Sequence, residues 1–187
     1  RTREMVDMSD FFPKNTLKKC KLLFSILKCD SLGNEQSTVW CVDGEDVSIP
    51  YRVKCKVLSD FGYKLLSKTQ KIAYLCVLTR NHDGKVRERA VKRLLADFDE
   101  YPVWVYPYML KLCDEYVENI LKYVYDALPK LDDKHFRRIV VENMSNIKLG
   151  YERMVSYWNA YYRADYCNID DYVRSEEHTS ELQSPMY

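Results

Sequence analysis

Glycine and proline are scarce in this chain, five and six among 187 residues, against sixteen tyrosines. Few tight turns and many bulky amphipathic side chains exclude a fold made of short strands and reverse turns, and favour helices joined by short loops. Histidine is scarcer still, with three copies. There is no Gly-rich phosphate loop, no Gly-x-Ser-x-Gly, no His-Glu-x-x-His and no acidic calcium loop, so the enzyme classes that carry those motifs lose their support. No apolar run reaches the roughly 18 residues needed to cross a bilayer. The seven cysteines (Cys20, Cys29, Cys41, Cys55, Cys76, Cys113 and Cys167) are scattered and never spaced Cys-x-x-Cys. They are expected to be reduced thiols of a cytoplasmic protein, outside any disulfide framework or zinc site. No secretory leader is recognisable, and Met5 is a candidate start. A formal net charge of +1 supplies no global field for nucleic acid.

What is present describes a single globular unit, with 47% hydrophobic and 30% charged residues. Over 16–29, Leu17, Cys20, Leu23, Phe24 and Leu27 fall on one helical face, with Asn15 or Thr16 as the expected cap. From 47 to 57 the period changes to two. Val47, Ile49, Tyr51, Val53, Cys55 and Val57 alternate with Ser48, Pro50, Arg52, Lys54 and Lys56, which predicts a strand with odd positions buried and even ones exposed. Arg52 is therefore expected to tolerate substitution and Val53 not. Val39 to Val42 and the Asp43-Gly44 dipeptide predict a hairpin partner, and Pro50 places the strand at an edge or starts it late. After residue 67 the pattern is helical throughout. Ser67 and Gln70 spell a capping box for a helix over about 68–80. Asp83 caps the next, whose buried stripe is Val86, Ala90, Val91, Leu94 and Leu95. Further helices are expected near 103–113, 115–128 (ended by Pro129), 132–145 and 147–165.

Two helix pairs superpose at a shift of 31 residues: Asp83 on Asp114, Val86 on Val117, Ala90 on Leu121. The run Asp83-Gly84-Lys85-Val86-Arg87-Glu88-Arg89-Ala90-Val91-Lys92-Arg93-Leu94 resembles the second helix of a HEAT repeat, and the resemblance spans about residues 68–128. It implies an α-solenoid in which Asp83 caps its helix and pairs with Arg87 or a neighbouring Arg, while Ala90 admits the adjacent helix closely. The second copy departs from the pattern, with Glu118 for Arg87 and Leu121 for Ala90. Stretches around 79–84, 104–107 and 115–120 also resemble uncharacterised bacterial proteins, a likeness that brings no activity with it. The expected fold is thus mainly α, a HEAT-like solenoid or an irregular helical domain over 16–173. It follows an N-terminal segment 1–15 and carries a small β-hairpin near 39–57.

Candidate chemistry is sparse. Asp114, Glu115 and Glu118 gather three carboxylates at one helix start, fit for a metal, for acid/base work, or for complementing the helix dipole. His82 in a turn and His135 at a helix start read as surface or capping residues. The basic set Arg80, Lys85, Arg87, Arg89, Lys92 and Arg93 could meet phosphates or form a solvated face with local ion pairs. The aromatic set Tyr157, Trp158, Tyr161, Tyr162 and Tyr166 could stack bases, anchor an interface or fill a core. Asn143-Met144-Ser145 matches a glycosylation acceptor without a secretory setting. No residue is singled out as catalytic, cofactor-binding or metal-ligating, and no cofactor is expected. The leading expectation is a non-enzymatic protein-binding or scaffold module with another protein as partner and no membrane contact. The alternative is a nucleic-acid-binding protein of the HEAT-like DNA-repair glycosylase type, and a hydrolase or metalloenzyme built on the three carboxylates comes third.

Residues 174–187 stand apart. Arg174-Ser175-Glu176-Glu177-His178-Thr179-Ser180-Glu181-Leu182-Gln183-Ser184 resembles the in-frame translation of the common Illumina read-through adapter, and Pro185-Met186-Tyr187 fits its barcode and flank. Such a tail carries no selection for packing. A chain ending at Val173 is expected to melt within about a degree of the full chain in a thermal scan, because changes outside packed structure alter stability by under about 0.5 kcal/mol. A loss of several degrees would show that the tail packs.

Overall fold

The computed structural model describes residues 7–31, 37–131 and 133–164. The expectations for 174–187, Tyr166 and Cys167 lie outside them. The architecture is mainly helical with two small antiparallel two-stranded sheets: α1 (Lys14–Leu27), β1 (Asp30–Ser31), β2 (Ser37–Val42), β3 (Glu45–Pro50), β4 (Val53–Lys54), α2 (Asp60–Lys64), α3 (Lys68–Leu78), α4 (Gly84–Asp97), α5 (Val105–Lys111), α6 (Glu118–Leu131), α7 (Lys134–Glu142) and α8 (Met144–Tyr157). Among these residues no helix is long and apolar enough to cross a membrane.

The first helix begins at Lys14, before the expected Asn15 or Thr16 cap, and Pro13 sits at its N-cap without a side-chain bond. The free amide of Lys14 is satisfied instead from the hairpin, by Glu45 Oε2 at 3.0 Å. Thr16 is buried. The described part of the N-terminal segment packs on the core. Met8, Phe11 and Phe12 are buried, and the Phe12 ring lies 5.2 Å from Phe24, 5.1 Å from Trp104 and 5.4 Å from Tyr108. Rings at these separations add about 0.5–1.5 kcal/mol per pair beyond the area they bury. Tyr108 also donates to the Phe11 carbonyl at 2.8 Å, tying the start of the chain to α5.

β2 and β3 form the expected hairpin, with Val42 opposite Glu45 and Asp43-Gly44 at the turn. Both turn residues have positive φ, 51° and 81°, the backbone that a two-residue hairpin of this twist requires. Val47 and Ile49 are fully buried and the ladder stops at Pro50, which cannot donate. The long strand to residue 57 is therefore broken. The chain turns at Tyr51-Arg52 and resumes as β4, which pairs with β1. Val53 and Cys55 keep the alternation, but Val57 is exposed and Arg52 is buried. Arg52 is the correction that matters, because a buried charge demands a partner.

A second correction concerns the thiols, since Cys29 and Cys55 form a disulfide that staples the end of α1 to the segment after β4. Cys20, Cys41, Cys76 and Cys113 are free. The cross-link closes a loop across 26 residues of sequence, the loop that contains the hairpin.

The helical half follows the expected caps more closely. Ser67 and Gln70 make a reciprocal capping box at α3. Asp83 accepts from Lys85 N at the start of α4, and Val86, Ala90, Val91 and Leu94 are buried along it. α3 packs on α4, α4 on α6 and α3 on α5. Pro129 does not end α6 but sits in its last turn, which runs to Leu131. α7 is capped by Asp133, whose Oδ1 accepts from His135 N and Phe136 N at 2.8 Å each. A π-helical turn, Trp158–Tyr162, extends α8.

Asn143, at the junction of α7 and α8, is enclosed and structural. Its amide oxygen accepts from Cys41 N at 2.8 Å, and its nitrogen donates to Cys41 O at 3.0 Å and to Ile139 O at 2.9 Å. Asn146 adds a bond to Val39 O at 2.7 Å. These side-chain amides stand where a further strand would pair, and they close the outer edge of β2. Asn143→Ala leaves the Cys41 amide and carbonyl unpaired and is expected to cost about 2–4 kcal/mol in urea unfolding, since each orphaned buried group costs about 1–3 kcal/mol. A loss below about 1 kcal/mol would mean that water replaces the amide.

Candidate functional site: a buried cationic network

The break at Tyr51-Arg52, the turn after α3 and the 3-10 turn Leu112–Asp114 meet at one carboxylate, Glu115, which is enclosed. Glu115 Oε2 accepts from Arg52 Nη2 at 2.9 Å and from Arg87 Nη2 at 3.2 Å. Arg80 Nη1 lies 3.5 Å from Oε1, an ion pair without a hydrogen bond. Backbone carbonyls hold the three guanidinium groups from behind. Arg80 donates to Pro50 O at 3.2 Å and to Tyr51 O at 2.8 Å; Arg52 also donates to Tyr51 O at 2.8 Å; and Arg87 donates to Asn81 O at 2.9 Å and His82 O at 3.0 Å. The planar, multi-donor guanidinium suits this work, bonding a carboxylate on one side and carbonyls on the other. Burial pulls the Arg80 guanidinium down to about 10, with Glu115 opposing the shift and Arg52 and Arg87 adding to it.

Asp114 is a second, smaller hub. Its Oδ2 accepts from Lys111 Nζ at 2.6 Å and from Arg153 Nη1, reaching across from α8, at 3.1 Å. Burial lowers the Lys111 ammonium and Asp114 opposes it. Gly150 of α8 packs beside Asp114, whose Cβ lies 4.0 Å from where a Cβ on Gly150 would stand, an ordinary van der Waals distance. The Tyr51 ring lies between the two hubs, 4.5 Å from the Arg52 guanidinium, 5.9 Å from Lys111 Nζ and 5.8 Å from the Arg153 guanidinium. Its hydroxyl meets that of Tyr157 at 3.1 Å. Burial raises the Tyr157 hydroxyl, and the bond with Tyr51 adds to the rise.

This arrangement redistributes the residues singled out in the sequence. Asp114 and Glu115 do not sit at a helix start as dipole complements; both precede α6 as enclosed ion-pair hubs, and Glu118 alone opens that helix. No group of three potential metal ligands occurs among the described residues. Asp83 caps α4 but does not pair with Arg87, which turns inward to Glu115. Asp114, its counterpart at the 31-residue shift, is no cap at all. The basic set shares no common face: Arg80 and Arg87 are enclosed, Arg93 pairs with Asp97 at 3.2 Å over the Tyr63 ring, and Arg89 bonds its own helix at Lys85 O. His82 is exposed and His135 half-buried. Of the aromatic set, Tyr157 reaches the network, while Tyr161 is exposed and Tyr162 donates to Tyr116 O at 2.7 Å. Sequence reading missed Arg52, Lys111 and Arg153. The available signal for Arg52 was Pro50, which ends the ladder two residues earlier and releases the chain from the alternation.

Away from the network, a groove of about 480 Å³ opens between the C-terminal part of α4 and α6. Leu95, Phe98, Tyr123 and Leu131 line it, with Lys92 and Asp126 among the charged groups at its wall.

Comparison with known proteins gives the chain no family: no family model, no curated protein and no solved structure matches it.

Glu115→Gln removes the charge that three guanidinium groups share, and breaking a buried ion network from one side typically costs about 3–5 kcal/mol. The same order of loss is expected for Arg52→Asp, which puts a second carboxylate beside Glu115. Arg93→Gln, at an exposed pair, is expected to cost at most about 1 kcal/mol. Denaturant unfolding of the three variants checks this, and equal small losses would mean that the network is solvated.

Proposed function

We propose that this chain is a HEAT-like helical-repeat module that binds another protein and performs no catalysis itself. The observation that carries the reading is the contrast between its charged interior and its open groove. The carboxylates of Asp114 and Glu115 are each engaged by two or more cations. The groove between α4 and α6 instead offers apolar and aromatic walls with charges of both signs, the composition of a surface that receives a partner's side chains. The stacking of α3 on α4, α4 on α6 and α3 on α5 supports two consecutive helical repeats. A cytoplasmic setting rests on the four free thiols, with the Cys29–Cys55 bridge weighing against it.

Nucleic acid is the competing partner, and a two-part experiment separates them. Immobilised protein is used to capture a partner, and the affinity of that partner is then measured for the parent chain and for Ala96→Trp, which fills the groove from an exposed position. At least a tenfold loss is expected, with melting unchanged. In parallel, a labelled duplex and a single strand are titrated at two salt concentrations. Weak binding, with a Kd of about 10⁻⁴ to 10⁻⁶ M that weakens steeply with salt, is expected of incidental basic groups. A complex tighter than about 10⁻⁷ M, kept at higher salt and abolished by a Lys85, Arg89 and Lys92 to Glu triple variant, would replace the protein-binding reading.

A further inference from the structure

Five cationic side chains converge on two carboxylates in the buried network: Arg52, Arg80 and Arg87 on Glu115, Lys111 and Arg153 on its neighbour Asp114. The pairing leaves three positive charges in excess within a region where only Arg153 has substantial exposure, at 28% of its side chain. Donors are in excess as well. Arg80 Nη1 and Arg87 Nε are enclosed and make no hydrogen bond. Arg153 bonds Asp114 through Nη1 alone, out of the five N–H groups a guanidinium carries. The Tyr51 and Tyr157 hydroxyls share one bond, so one of their two protons remains to be donated elsewhere. Concentrating cations without counter-charge is unfavourable: burial lowers the affinity of Arg80 for its proton, and the neighbouring Arg52 and Arg87 add to that shift.

We infer that the corner of this network formed by Tyr51, Arg153 and Tyr157 is a binding site for a dianionic oxyanion of the phosphate class. Glu115 and its three arginines are enclosed and bonded to the backbone carbonyls around them, whereas Tyr51, Arg153 and Tyr157 are half-buried and keep contact with solvent. A planar guanidinium meets two oxygens of a phosphate in parallel, and a hydroxyl donor completes a third contact. A dianion offsets most of the threefold excess where a monoanion offsets a third of it. The interaction is strengthened by the low effective dielectric of a half-buried site. Neither a metal nor a helix N-terminus takes part, and the site is independent of whether a protein partner occupies the groove.

The test is calorimetric titration of the full chain with inorganic phosphate and with phenyl phosphate, at constant ionic strength set by sodium chloride, with acetate as the monoanion control. Saturable one-to-one binding with a Kd below about 1 mM is expected for at least one of the two phosphates, and the tighter of them tells a free from an esterified ligand. At tenfold excess over Kd the melting temperature should rise by about 3–6 °C, the linkage expected for a chain of this size. Acetate should bind at least tenfold more weakly. Arg153→Gln is expected to lower phosphate affinity at least tenfold, and Tyr157→Phe, which keeps the ring and removes the hydroxyl, about threefold or more; the second variant serves if the first fails to fold. Arg89→Gln, an exposed base on α4, should titrate like the parent. Non-saturating responses equal to those of chloride, or Tyr157→Phe and Arg153→Gln both titrating like the parent, would overturn the site.

Discussion

Glu115 is the interaction on which the rest of the structure depends. Its carboxylate is fully enclosed, and its three arginine partners come from the break in the hairpin strand, the end of α3 and the start of α4. Arg52 and Arg87 bond carbonyls just before them in the chain, and Arg80, from the end of α3, bonds Pro50 O and Tyr51 O at the end of the hairpin, so one charge fixes the relative position of the hairpin, the turn at 81–83 and the approach to α6. A hydrophobic contact would tolerate sliding by an ångström or two. A guanidinium that must meet a carboxylate and two carbonyls together does not. The network is therefore a device for specificity of arrangement more than for stability, because desolvating so many charges consumes most of what their attraction returns.

The helical half was largely legible in the sequence because local chemistry decides it. The Ser67 and Gln70 box, the Asp83 cap and the stripe of Val86, Ala90, Val91 and Leu94 are all settled within a few residues of chain. The Asp43-Gly44 turn was legible for the same reason, since positive φ at two successive positions selects that dipeptide. Where the reading failed, a contact distant in sequence had overridden a local preference. The cap of α1 comes from Glu45, thirty-one residues away, and Arg52 is drawn inward by Glu115, sixty-three residues away. No pattern in a window of ten or twenty residues contains either fact.

The candidate site illustrates the limit more sharply. Arg80 and Arg87 belonged to an apparently solvent-facing basic run, and Asp114 and Glu115 to an apparently dipole-stabilising acidic one. Folding brought the two runs together and left the remaining bases dispersed on the surface. Charge counts alone could not separate a solvated face from an interior network, because both have the same composition. The disulfide between Cys29 and Cys55 escaped for a related reason: scattered cysteines carry no spacing signal when the bridge is made by tertiary proximity.

The short stretch from Tyr51 to Lys56 is held by three different parts of the molecule, the Glu115 segment, the turn after α3 and the end of α1. Arg52 reaches Glu115, Val53 exchanges backbone bonds with Arg80 and His82 at 2.9 Å each, Cys55 is covalently tied to Cys29, and the Lys56 amide bonds Leu27 O at 3.3 Å. Adding or deleting a single residue there would shift every one of these partners out of phase at once. At the hairpin tip Gly44 has open space around it, and Asp43 is held by an exposed ion pair with Arg138 of α7. Length variation in this protein should therefore accumulate at the tip of the hairpin and be absent from its base, and the tip is where a fluorophore or an affinity tag could be spliced into the chain with least disturbance.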